Sequence, residues 1–247
     1  MATKIIPKKP IKKPVKKGSR SLMTMFSRFL FKVLLWFFAI SLFFVVLYKF
    51  VPVPFTPLMV IRAIENSADK KENSFSHEWE SIENISVNLQ KAVIASEDGS
   101  FLFHNGFDFK AMQKAYKGNE RGRKIKGGST ISQQTAKNVF LWQGRSYFRK
   151  GLEAYFTVLI ELIWGKERIM EVYLNSIEMG DGVYGAQAAA EHWYRKDAKD
   201  LTPIQAAGIA AILPNPRKFT ATSSSSYINN RKRKIMRVMR TVGKIKY

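Results

Sequence analysis

The 247-residue sequence predicts a mainly α-helical protein with one N-terminal transmembrane helix. Three observations carry that prediction. Phe29–Val51 is almost uncharged, a series of later segments places apolar residues three and four apart, and alternating β-branched runs of useful length are few.

The apolar stretch comes first. Only Lys32 and Lys49 are charged within it, and nothing is charged from Val33 to Tyr48. Its 23 residues would rise roughly 34 Å as a helix, about the thickness of a bilayer's hydrocarbon core. Both lysines can snorkel to the headgroups. A buried core helix would rarely be apolar on every face. A cleaved signal sequence needs a short apolar region and a small-x-small site, whereas this run ends in Val51-Pro52-Val53-Pro54-Phe55-Thr56-Pro57. A retained anchor is therefore expected over 29–51. Ahead of it, residues 1–28 hold nine basic side chains (Lys4, Lys8, Lys9, Lys12, Lys13, Lys16, Lys17, Arg20 and Arg28) and no acid. That bias predicts a cytoplasmic basic tail over 1–28 and an outward location for everything after residue 51.

Beyond the anchor, prolines at 52, 54 and 57 stop the helix, and a polar stretch near 65–88 leads away from it. Residues 52–84 are read as a juxtamembrane linker and 85–247 as one domain. Within that domain Lys91–Glu97 is a short apolar run. Thr130–Leu141, Ser146–Trp164 and Lys166–Ser176 have helical spacing, and Gly185–Tyr194 is alanine-rich. Thr202, Pro203 and Gln205 supply an N-cap, a first-turn proline and a third-position partner for a helix ended by Pro214 and Pro216. The serines at 223–226 read as a surface loop.

Composition narrows the function. With 41 Lys+Arg against 19 Asp+Glu the net charge is +22, which excludes an acidic or calcium-buffering protein. The surplus sits at the ends: ten basic residues and no acid follow residue 200, while 29–200 is nearly balanced. Without cysteine there is no disulfide, thiolate nucleophile or Cys-ligated zinc. His77, His104 and His192 are too far apart in sequence for a local metal motif.

Four segments carry groups that can do chemistry. Glu97-Asp98 closes the apolar run Ala92–Ser96, with Phe101, Phe103, Phe107 and Phe109 around the following turn. A carboxyl held against aromatic rings loses hydration and is suited to moving a proton near neutral pH; the alternative is a solvated acidic turn. Next, Gly127-Gly128-Ser129-Thr130 opens a helix in which Thr130 and Gln133 fit a capping box. Its first turn would offer free N–H groups to an anion, and Gln134, Lys137 and Asn138 would share a face. The G-x-x-x-x-G-K-[ST] order of a Walker loop is absent. Third, Arg149 and Glu153 stand four apart on a helix whose other face carries Leu152, Phe156, Leu159 and Ile163, which alone would read as a surface ion pair. Glu171–Asn175, leading into Gly180–Gly185, reads as packing and shape.

Taken in order, these segments resemble one family. Glu97-Asp98-x-x-Phe101-x-x-His104-x-Gly106-x-Asp108, Gly127-Gly128-Ser129-Thr130-Ile131-x-Gln133-Gln134-x-x-Lys137-Asn138, Arg149-Lys150-x-x-Glu153 and Ile169-x-Glu171-x-Tyr173-Leu174-Asn175 are similar to successive motifs of the peptidoglycan glycosyltransferases. The likeness covers roughly 85–240 and includes Ala206-Ala207-Gly208 and Leu213-Pro214-Asn215-Pro216. Tyr194-Arg195-Lys196 departs from the family's frequent Phe-Gly-Lys.

The resemblance implies a lysozyme-like, mainly helical domain with a small membrane-proximal lobe in a bacterial inner membrane. It implies polymerisation of lipid II into β-1,4-linked glycan with release of polyprenyl pyrophosphate. By motif position Glu97 would be the general base and Glu153 a second catalytic carboxylate, orienting cations or sugar. Lys137, Arg149 and Lys150 would hold the pyrophosphate, with Ser129, Gln133, Gln134, Asn138, His104 and Asp98 around the substrate. No tightly bound cofactor is implied, and a divalent-cation requirement is left open. The implied partners are lipid II, the growing lipid-linked glycan, the membrane and other cell-wall synthesis and division proteins, with no nucleic acid. No Lys-Thr-Gly or Lys-Ser-Gly occurs, and the S-x-x-K match at Ser67–Lys70 lies in the polar stretch, so no transpeptidase activity is expected.

Two rival readings remain. A lytic enzyme would use a glutamate as acid but has no need of a pyrophosphate site. A membrane-anchored nucleic-acid binder would explain the charge but not the central motifs. The basic segment Arg231–Arg240, with Ile235, Val238 and Met239 along one side as a helix, suits packing onto the domain or an anionic membrane surface.

Overall fold

A computed structural model describes residues 18–68, 75–120, 128–144 and 146–247. Outside the described residues fall the basic tail from Met1 to Lys17, the Asp69-Lys70 end of the S-x-x-K match, and Gly127 of the glycine pair. The chain divides into two compact units, 1–44 and 45–247.

In the first unit, residues 18–44 belong to α1 (Gly18–Phe50), which begins well before the expected span. Leu22–Phe50, 29 residues, is long and apolar enough to cross a membrane. Its Phe29, Trp36 and Phe43 are exposed, as on a helix surrounded by hydrocarbon.

The second unit starts with the last turns of α1. Tyr48 O has no helical donor because Pro52, four residues on, lacks an N–H. Arg168 supplies the missing donors, from Nε (3.0 Å) and Nη2 (2.9 Å) to Tyr48 O and from Nη2 to Val51 O (2.7 Å). Trp164 Nε1 donates to Val45 O at 2.7 Å.

The remaining helices are α2 (Pro57–Ala68), α3 (Val87–Glu97), α4 (Phe109–Glu120), α5 (Ile131–Phe140), α6 (Tyr147–Ile163), α7 (Gly165–Ser176), α8 (Ala186–Tyr194), α9 (Pro203–Ile212) and α10 (Ser226–Met239). Helix α9 packs on α3 and α10, and α5 packs on α6 and α7. One core, including Leu89, Ile94, Ile131, Ile160, Leu174 and Ile209, runs between them.

Three elements differ from the sequence reading. Residues 52–84, expected to be a linker, contain α2, whose first residue is Pro57. Proline ends the preceding helix, yet its fixed φ and missing N–H suit the first turn of the next. The same stretch contains β1 (Ser76–His77), which pairs in parallel with β3 (Val183–Tyr184), while β2 (Glu178–Gly180) pairs antiparallel with β3. Strands this short leave no periodicity in a sequence. Asn175 fastens the edge of this sheet, accepting from Glu80 N at 2.8 Å and donating to Glu80 O at 2.7 Å. Helix α4 follows Asp108, whose Oδ1 accepts from Ala111 N at 2.8 Å and whose pKa that bond lowers. It was hidden because Phe109, Met112 and Tyr116 stay exposed and trace no buried stripe.

The C-terminal segment packs: Ile228, Ile235 and Met239 of α10 are buried, and Val238 is half-buried. Arg233, Lys234, Arg237 and Arg240 remain exposed. Arg195, standing where the family often has glycine, adopts a left-handed conformation (φ 52°) as the cap of α8. Its N–H bonds to Ala190 O and Glu191 O, the geometry in which glycine is favoured.

Candidate active site

Helix α3 starts at the N-cap Ser86, whose hydroxyl accepts from Asn88 N, and ends by presenting Glu97 and Asp98 side by side. The two carboxylates have different fates. Asp98 is buried and fully engaged: His104 Nε2 lies 2.9 and 3.1 Å from its two oxygens, and Ile131 N donates to Oδ2 at 2.9 Å. Because Gly106 N donates to His104 Nδ1 (3.1 Å), Nε2 carries the proton and is the donor to Asp98.

This corrects the expectation of an open anion site at the start of α5. The chain's own carboxylate sits on the first N–H, and Thr130 Oγ1 accepts from Gln133 N at 3.2 Å while Gln133 Oε1 accepts from Thr130 N at 3.0 Å. The capping box is as the sequence predicts. It consumes Gln133, which is buried and turned inward. Thr130 also donates to Gly106 O at 2.6 Å. Gly106 has φ +88°, and a β-carbon there would come within 2.8 Å of Thr157 Cγ2, so this close turn requires glycine.

Glu97 is half-buried, and its hydrogen-bond partners among the described residues are neutral: Ser96 Oγ donates to Oε1 at 3.0 Å and Gln134 Nε2 to Oε2 at 3.3 Å. The expected aromatic casing is not built. The 3-10 turn Phe101–Phe103 points Phe101 into the core, edge-on to His104, and leaves Phe103 88% exposed. Phe109 is 72% exposed. Tyr173, read from sequence as packing, donates to Gln134 Oε1 at 3.4 Å. Burial, and then the negative charges of Glu97 and Asp98, raise its pKa well above the usual phenol value, so it stays a donor.

One turn along α5 from Gln134 comes Lys137. Burial lowers its pKa; the charge of Glu153 raises it, and those of Arg149 and Lys150 lower it. Glu153 is the hub of this cluster, accepting from Arg149 Nη1 at 3.0 Å on Oε2 and from Lys150 on Oε1. The sequence left open a surface ion pair, but Arg149 and Glu153 are buried. The most buried stripe of α6 runs through Arg149, Glu153, Phe156, Thr157 and Ile160, and Leu152, Leu159 and Ile163 are only partly buried. Arg149 Nε is buried with no hydrogen-bond partner among the described residues.

The expected residues thus fall into two groups. Glu97, Gln134, Lys137, Arg149, Lys150 and Glu153 share one region along α5. Asp98, His104 and Gln133 hold the scaffold around it. Ser129 is half-buried just ahead of α5, and Asn138 is buried within it. Sequence reasoning missed Ser96, Tyr173 and Ser132, whose hydroxyl bonds Glu161. Only Tyr173 was a named motif residue, and its segment was read as packing.

A half-buried carboxylate whose amide partner Gln134 stands one helical turn from Lys137, itself in the field of Arg149, Lys150 and Glu153, makes a helical domain suited to glycosyl transfer from an anionic leaving group. Residues 64–240 match the Transglycosylase family model, and the chain belongs to that family. It is 58% identical over 191 residues to the biosynthetic peptidoglycan transglycosylase of Caulobacter vibrioides, covering 77% of this chain and 81% of that protein. It is 53% identical to the protein of that name from Bdellovibrio bacteriovorus (85% and 84% covered) and 52% identical to that from Bacteroides thetaiotaomicron (88% of each).

Proposed function

We propose that this chain is a membrane-anchored peptidoglycan glycosyltransferase that polymerises lipid II into β-1,4-linked glycan. The carrying observation is that Gln134, which holds Glu97, stands one turn along α5 from Lys137, and that Lys137 lies in the field of Arg149, Lys150 and Glu153. The acceptor's sugar hydroxyl gives its proton to Glu97 as its oxygen bonds to the donor's anomeric carbon. The bond from that carbon to the pyrophosphate breaks with inversion, its electron pair leaves with the pyrophosphate, and the negative charge so gained is met by Lys137 and Arg149. Such a leaving group needs cations more than a general acid, which favours synthesis over lytic cleavage. Asp98 and His104 act here as scaffold for the start of α5. The nine basic residues before the anchor support a cytoplasmic N-terminus and a catalytic body outside the inner membrane.

The test is incubation of the reconstituted chain with lipid II. Formation of glycan polymer supports the reading, and shortening of preformed glycan without polymer overturns it in favour of a lytic enzyme. A reporter fused after Tyr247 should be active only outside the cytoplasm.

A further inference from the structure

Helix α9 ends at Pro214, and the geometry of that end reaches Glu97. Pro214 has no N–H for Ala210 O, four residues before it, and Asn215 N donates to Ile212 O at 2.9 Å instead of to Ala211 O. Both carbonyls lose their helical donors, and Arg231 serves one while the Ser96 hydroxyl lies within reach of the other. Arg231, from α10, gives Nε to Ala211 O at 3.0 Å, and its Nη2 lies 3.4 Å from Ser96 Oγ. Ser96 Oγ lies 3.2 Å from Ala210 O and 3.0 Å from Glu97 Oε1. A hydroxyl has one proton, and the charged oxygen is the stronger acceptor. With Arg231 donating into its lone pair, Ser96 is oriented as a donor to Glu97.

We propose that Arg231 and Ser96 form a positioning relay that fixes Oε1 of Glu97 and thereby aims the rest of the carboxylate at the acceptor hydroxyl. Arg231 lies in the basic C-terminal segment that the sequence offered to packing or to the membrane; it and Lys232 are half-buried while Arg233 and Lys234 face outward. The guanidinium matters by shape: one fork spans a backbone carbonyl and a side-chain hydroxyl that a single ammonium cannot span together. Gln134 and Tyr173 complete the holding of Glu97 from the other side, through Oε2.

The relay rests on Glu97 being the base, and the experiment separates the two ideas. Lipid II polymerisation by the full chain is measured for Ser96→Ala, Arg231→Lys, the double variant and Glu97→Gln, each alongside a thermal melt. The relay predicts that Ser96→Ala and Arg231→Lys each lower kcat about tenfold with little change in KM, and that the double variant is no slower than the worse single one, because both break one chain. If Arg231 only caps α9, Arg231→Lys lowers the melting temperature without lowering kcat, Ser96→Ala keeps normal kcat, and the relay is overturned. Multiplying kcat losses in the double variant would also overturn it. Near-normal turnover by Glu97→Gln would instead remove the base itself, whatever the relay variants do.

Discussion

Glu97 and Glu153 are carboxylates of one site, and they are held in opposite ways. Glu97 is half-buried and, among the described residues, is hydrogen-bonded by a serine hydroxyl and an amide, the latter at a long 3.3 Å. Glu153 is buried and spends one oxygen on Arg149 and the other on Lys150. A carboxylate lightly held by neutral donors keeps lone pairs for a substrate proton. One that binds a cation through each oxygen would have to give up a charge-assisted bond to take a proton, and its work is to gather positive charge. Asp98 lies beside Glu97 in sequence yet resembles Glu153, since both its oxygens serve His104 and the start of α5. Acidic identity alone does not assign a role here; what already occupies the lone pairs does.

The largest expected effect tests the free carboxylate. Glu97→Gln keeps the shape and the bond to Ser96 but cannot take a proton, and turnover should fall by a factor on the order of 10²–10⁴ with the fold and KM retained. Polymerisation of lipid II at saturating substrate, with a thermal melt as control, is the check. Normal turnover would erase the distinction between the two glutamates.

Glu153→Gln should act through Lys137. Burial already lowers the Lys137 pKa, with Glu153 opposing and Arg149 and Lys150 adding to the fall. Removing the negative charge lets it fall further, so the charged form needed for the leaving group is lost at lower pH. The alkaline limb of the rate profile should move towards acid, with the acid limb in place. A profile that keeps its alkaline limb would mean that Lys137 protonation does not limit the reaction.

Much of this contrast was visible before any coordinates. The motifs placed Glu97, Lys137, Arg149 and Glu153 in one cleft, and the capping box at Thr130 and Gln133 is local chemistry that a sequence can carry. Helices α5 to α7 were legible from apolar spacing, α8 from its alanines and α9 from its capping box and prolines. Helix α4 was not, because its apolar residues face outward, and the sheet was not, because its strands are two and three residues long. Within the site, the misread points were long-range. Nothing local says that Asp98 would fill the N-terminus of α5, 33 positions on, or that Arg231 would reach Ser96 across 135. Residues near Glu97 in sequence need not be its neighbours in space: a 3-10 turn sends Phe103 to the surface.

Asp98→Asn should separate scaffold from chemistry. It removes the charge from a buried acceptor of His104 and the Ile131 N–H, and puts an amide that is partly donor where only an acceptor fits. A stability loss of about 1–3 kcal/mol follows from the broken bonds. A lowered melting temperature, with a kcat loss well below that of Glu97→Gln once the protein is folded, is the expected pair of readings. A Glu97-sized loss of turnover without destabilisation would make Asp98 part of the chemistry and blur the comparison from the other side.

The smallest effect belongs to Lys150. Its bond to Glu153 joins a side chain that is 45% exposed to one that is 4% exposed, so water and salt screen the outer half of the pair. Pairs of this kind contribute about 0–1 kcal/mol, and Lys150→Ala should therefore cost at most about fivefold in kcat/KM if its only task is to help hold Glu153. Arg149 keeps the other oxygen of Glu153, so the hub survives. The loss should shrink as salt is raised, because the wild-type pair weakens while the variant has nothing left to screen. Lipid II polymerisation rates for both proteins at low and high salt make the check. A loss of a hundredfold or more would mean that Lys150 leaves Glu153 to meet the departing pyrophosphate itself, and would move it from the holder of the cluster to a direct partner of the substrate.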